Sequence, residues 1–87
     1  MYDFLTDVKQ ALKITGTYHD KTLNVYINDV KDYLLRAGVS KELIESQACS
    51  GAIVRGVSDL MSGNNFSNYF YDRVSQLSLT TLSNKVV

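Results

Sequence analysis

No proline interrupts this chain of 87 residues, and that absence constrains the fold more than any other feature. Proline fixes φ and removes a backbone donor, so a chain without it can run helical wherever its apolar spacing allows. Only five glycines act as further breakers. Through most of the sequence an apolar residue returns every three or four positions, which predicts an all-α fold, a compact bundle of about four helices. A chain of this size buries only about 60–65% of the surface its unfolded form exposes. A single cysteine, Cys49, rules out an internal disulfide. No metal-ligand cluster or cofactor motif supplements the core. Stability therefore rests on helix packing, which neighbouring subunits could complete.

The first helix is predicted from about Asp3 to Lys13, with Leu5, Val8 and Leu12 on one face and Phe4 and Ala11 beside them. Asp3 and Asp7 come early and Lys9 and Lys13 late, as the helix dipole favours. Gly16 breaks the pattern. Asp20 is the expected N-cap of the second helix, whose stripe holds Leu23, Tyr26, Ile27, Val30, Tyr33, Leu34 and Ala37. Asp32 and Arg36 are placed for an i,i+4 pair, and Gly38 for the C′ position. Val25 and Leu35 fall well away from the stripe. They are either single exposed apolar residues or contacts to another subunit.

Ser40 is read as the cap of a third helix from about Lys41 to Met61, the central and most buried one. Its two glycines, Gly51 and Gly56, point to close approach by a neighbour, and Arg55 and Asp59 are expected to pair. A loop at Ser62-Gly63-Asn64-Asn65 precedes a fourth helix from about Ser67 to Leu79, with Phe66, Phe70, Val74 and Leu77 inward and Tyr69 nearby. Tyr69, Phe70 and Tyr71 are consecutive, so at least one must leave the core, and Tyr71 points elsewhere than the inward face. Helical spacing fades after Leu79. One domain is expected over residues 1–79, with a flexible, non-helical C-terminal tail over 80–87.

Little here suggests chemistry. His19 is the sole histidine and precedes a helix start, where a solvated or capping residue is the ordinary reading. Cys49 among small residues reads as a buried structural thiol. No Gly-rich phosphate loop, HExxH or Cys-x-x-Cys occurs, so neither catalytic residues nor a cofactor or metal are expected. Nine basic and nine acidic residues cancel, whereas a dedicated DNA binder carries a basic patch. The cysteine usage fits a reducing cytosol, and no signal-like segment or long apolar run argues for export or a membrane.

Several segments carry a family resemblance. They are Val8-Lys9-Gln10-Ala11-Leu12-Lys13-Ile14-Thr15-Gly16-Thr17 with His19-Asp20, then Tyr26-Ile27-Asn28-Asp29-Val30-Lys31-Asp32-Tyr33-Leu34 with Ala37-Gly38-Val39. Ile53-Val54-Arg55-Gly56-Val57-Ser58-Asp59-Leu60 and the run from Tyr69 to Leu79 complete the set. Over roughly residues 5–79 the sequence resembles the head-to-tail connector (head completion or adaptor) proteins of tailed bacteriophages. Met61 stands where such proteins often carry tryptophan. The resemblance implies a non-enzymatic virion protein, assembled in the host cytoplasm into a ring of about twelve copies. Such a ring binds beneath the portal protein, extends the DNA channel without specific DNA binding, and presents a surface to a downstream connector or tail-completion protein. No membrane is involved.

Within that reading, Val25, Leu35 and Tyr71 are the candidate lateral contacts. Thr80, Thr81, Leu82, Val86 and Val87 are the candidate portal-docking residues, by strand addition. Two other classes remain. One is a generic helical protein–protein adaptor. The other is a small helix-turn-helix regulator, disfavoured because the helix after Ala37-Gly38-Val39-Ser40 begins Lys41-Glu42-Leu43-Ile44-Glu45, acidic and apolar where phosphates would lie.

Overall fold

Asp3 starts the first helix by supplying what its free backbone donors lack. In the computed structural model, which describes residues 2–63 and 65–85 and side chains as far as Thr81, Asp3 Oδ1 accepts the Thr6 N–H at 3.2 Å. The Thr6 hydroxyl donates to Oδ2 at 2.5 Å. These bonds favour the ionised carboxylate and hold its pKa below the usual 3.8. Helix α1 (Phe4–Leu12) buries Phe4 and Val8 and ends where Lys13 turns left-handed at φ 58°. Lys9 reaches back across the following loop to the Gly16 carbonyl and to Asp20.

Helix α2 (Asp20–Arg36) buries Leu23, Ile27, Val30 and Leu34, four members of the expected stripe. Its N-cap is His19, which makes no side-chain capping bond. From the sequence alone that place falls to Asp20. The carboxylate of Asp20 is instead drawn to Lys9 at 2.8 Å, and from the first turn it still favours the dipole. The Asp32–Arg36 pair forms at 3.0 Å with both side chains largely exposed, so its contribution is a few tenths of a kcal/mol. At the far end Gly38 has φ +96°. Val39 N–H bonds the Leu34 carbonyl and Gly38 N–H that of Leu35, the paired closure that a glycine at C′ permits.

The expected single third helix is three pieces. Helix α3 (Lys41–Ile44) is capped by Ser40, whose hydroxyl oxygen accepts the Leu43 N–H at 3.2 Å. Ser46 then adopts an extended conformation, and a 3₁₀ turn (Gln47–Cys49) leads into α4 (Ser50–Met61). The break has a local cause. The Ser46 hydroxyl donates to the Leu43 carbonyl at 2.6 Å, and its N–H bonds the same oxygen, in competition with continued helix.

Helix α4 is the centre of the bundle, packed against α1 and α2. It buries Ala52, Ile53, Gly56 and Val57. Gly56 is the close-approach position the sequence pointed to: a Cβ there would stand 2.8 Å from both Phe70 and Val30 side-chain carbons. Arg55 and Asp59 do pair, at 3.5 Å. Asp59 has a second task, because its buried carboxylate accepts the Ser67 N–H at 2.9 Å. The Ser67 hydroxyl oxygen in turn accepts the Phe70 N–H, so two side chains nucleate the next helix.

That helix, α5 (Asn68–Lys85), outruns the sequence-based end at Leu79. Threonines weaken helix propensity, but here both hydroxyls have partners. Thr80 donates to the Gln76 carbonyl at 3.0 Å, and Thr81 Oγ1 accepts the Ser40 N–H at 3.1 Å. The non-helical tail expected from Thr80 is therefore helical through Lys85, and Val86 and Val87 lie outside the described residues. The all-α bundle itself is as expected.

Candidate functional site

The features that could serve a partner lie on the surface. Val25 and Leu35 are 57% and 53% exposed, as their position off the α2 stripe requires. Leu35 edges a groove of about 300 Å³ between α2 and α3, with Ile44 also in its wall and Lys31, Asp32, Lys41 and Glu45 around it. A salt bridge from Lys31 to Glu45, 3.2 Å long, ties the two helices together there. Val25 and Leu35 are ten residues apart on α2, about 15 Å along the axis, so one small contact does not cover both.

Tyr71 is 42% exposed but not free of its own domain. Its ring lies 6.2 Å from that of Tyr33 and 6.3 Å from that of Phe66, at the rim of a cluster centred on fully buried Phe70. Tyr69, read as near the inward face, is the more exposed at 58%. The Arg55 guanidinium stands 5.9 Å from its ring centroid, within cation–π range. Two of the three consecutive aromatic residues thus leave the core. Among the docking residues, Thr80 and Thr81 are part of α5, with Thr81 buried. Leu82 is helical, and Val86 and Val87 lie outside the described residues.

Convergent chemistry is sparse. Asp7 is a small polar hub, accepting from the Tyr2 hydroxyl at 2.7 Å and the Ser50 hydroxyl at 2.6 Å, and the Tyr2 hydrogen bond, with burial and the carboxylate's charge, raises the tyrosine's pKa. The hub ties the N-terminal segment and α1 to the start of α4. Cys49 is fully buried, and burial pushes its thiol up to about 11 against the opposing charge of Arg73, the reverse of what a nucleophile needs. His19 is exposed, with the Tyr18 ring edge-on at 4.9 Å. No group of three or more metal-ligating side chains occurs among the described residues, and no helix there is long and apolar enough to cross a membrane. Arg73, which lies over Gly51, escaped the sequence reading because only tertiary packing brings them together.

No curated protein and no solved structure matches the chain. The family comparison is positive. The phage gp6-like head-tail connector proteins match over residues 2–70, from the segment before α1 to the first turn of α5 and including the Asp59–Ser67 junction. On that match the chain belongs to the phage gp6-like head-tail connector family, structural components of the virion.

Proposed function

We propose that the chain is one subunit of a homo-oligomeric ring in the phage connector. The ring forms in the host cytoplasm and docks under the portal protein. It extends the DNA channel and offers a surface to a downstream connector or tail-completion protein. The observation that carries this reading is the family match over residues 2–70. Val25, Leu35 and Tyr71, large and exposed on two helices, support it as lateral contacts. A heterologous ring uses different faces of each subunit, so dispersed contacts suit it. Equal numbers of acidic and basic residues fit a channel that passes DNA without holding it.

The end of α5 with the residues after it remains the proposed portal-docking segment. With residues 80–85 helical, that docking presents a helix face, and strand addition drops out for them. Light scattering of the purified protein, alone and mixed with its portal ring, tests the whole reading. Ring-sized particles or a saturable shift of the portal peak are expected. A small species indifferent to the portal overturns the reading. For the lateral contacts, Leu35→Asp is expected to block ring assembly with the helical circular dichroism intact. Deleting residues 80–87 without loss of portal binding removes the docking assignment.

A further inference from the structure

Among the described residues the two partly buried lysines each meet a carboxylate within the molecule, Lys9 with Asp20 and Lys31 with Glu45, and exposed Arg55 pairs with Asp59. Arg73 on α5 meets none among the described residues, although it is partly buried. Its guanidinium lies on the first turn of α4, over Gly51. A Cβ at that glycine would stand 3.0 Å from Nη2 and 3.8 Å from Cζ, so a side chain there would make the guanidinium shift by a few tenths of an ångström. Nε is sealed from solvent and has no hydrogen-bond partner among the described residues. A charged donor stripped of water without an acceptor is costly in a free subunit. An anion from another molecule on the remaining guanidinium nitrogens pairs the group's charge, although Nε itself stays unbonded.

We propose that Arg73, seated on Gly51, is a preformed receptor for the Asp29 carboxylate of a second copy of this chain. The contact rests on the ring reading above and gives it a charged anchor. Asp29 is exposed and without an ion-pair partner among the described residues. It sits one helical turn after exposed Val25, and both point away from the buried α2 stripe of Leu23, Ile27, Val30 and Leu34. Arg73 likewise sits one turn after exposed Tyr69 on α5. Residues four apart on a helix are about 6 Å apart, so the two pairs match in spacing. Tyr69 covers Val25 while Arg73 meets Asp29. The faces differ, which makes the contact heterologous and able to propagate around a ring.

The test compares self-association by light scattering with thermal melting of the unassembled subunit. Arg73→Leu is expected to weaken association at least about tenfold, the equivalent of 1.4 kcal/mol, with the melting temperature unchanged or raised. Arg73→Asp and Asp29→Arg are each expected to weaken association, and the double charge swap to recover it to within about threefold of wild type. A lowered melting temperature with unchanged association for Arg73→Leu assigns the guanidinium to the fold and overturns the proposal. A double swap that stays defective overturns the pairing with Asp29. If wild type itself never associates at any concentration, the ring reading fails first, and this contact fails with it.

Discussion

Helix α5 is held in two different ways along its length. Its first turns are locked by shape: Phe70 is fully buried against Val30 and the Gly56 backbone, and Asp59 fixes where the helix begins. Around residues 78–81, among the described side chains, it is held mostly by hydroxyls. Ser78 donates to the Ala37 carbonyl at 2.7 Å, and Thr81 accepts from Ser40 at 3.1 Å, while Leu79 is exposed. Apolar interdigitation loses dispersion and hydration terms together when disturbed. A net hydrogen bond contributes only about 0.5–1.5 kcal/mol. The two ends of one helix should therefore open at very different free energies.

The strongest way to break this contrast is Phe70→Ala. Truncating a fully buried phenylalanine costs about 3–5 kcal/mol, and urea unfolding should show a loss of that order. A loss below about 1 kcal/mol would mean that α5 contributes little to the core. Gly56→Ala probes the same seam by overpacking. The new methyl meets carbons at 2.8 Å, and a loss of about 1–3 kcal/mol is expected in the same measurement. Smaller again is Thr81→Val, which keeps the shape but leaves the Ser40 N–H without its acceptor. Hydrogen exchange should speed about tenfold at residues 78–85, while global stability falls by only about 1 kcal/mol. Equal loss everywhere would show that α5 opens as one unit.

A shallower effect concerns Cys49, at the junction of α4 and the residue that α5 lays over it. Burial raises the folded thiol to about 11 from the ordinary 9.0, so the folded state holds the proton more tightly. That advantage is complete below pH 9 and disappears as pH rises through about 11. Stability should decline over that window in wild type and decline less in Cys49→Ala, as read by denaturant midpoints. A flat wild-type profile would place the thiol in a wetter setting.

These regions also differed in how far the sequence revealed them. The α2 stripe, the Gly38 terminus, the Ser40 cap and the Gly56 approach were legible because each follows from spacing or backbone preference within a few residues. The break at Ser46 was not. Its small neighbours Ala48, Ser50, Gly51 and Ala52 suggest close packing as readily as an interrupted helix. The reach of α5 past Leu79 was hidden for another reason. Thr81 is stabilised by Ser40, 41 residues earlier in the chain, and no local pattern encodes that bond. Arg73 is the extreme case, since its Nε, without a partner among the described residues, is sealed only after α5 has packed on Gly51. The off-stripe residues Val25 and Leu35 were legible as surface. What touches them is not written in one chain, because periodicity records only what the chain does to itself.

The hole at Gly56 also has a mechanical meaning. With Phe70 seated in it and Val74 buried one turn later, α5 is a lever clamped near one end. From Val74 to Thr81 the arm is about 10 Å at 1.5 Å per residue. A tilt of about 10° at the clamp would carry Thr81 about 2 Å, more than a hydrogen bond can stretch. The Ser78 and Thr81 contacts then act as a latch with a sharp threshold, and a push at the tip is either absorbed without movement or releases the outer turns together.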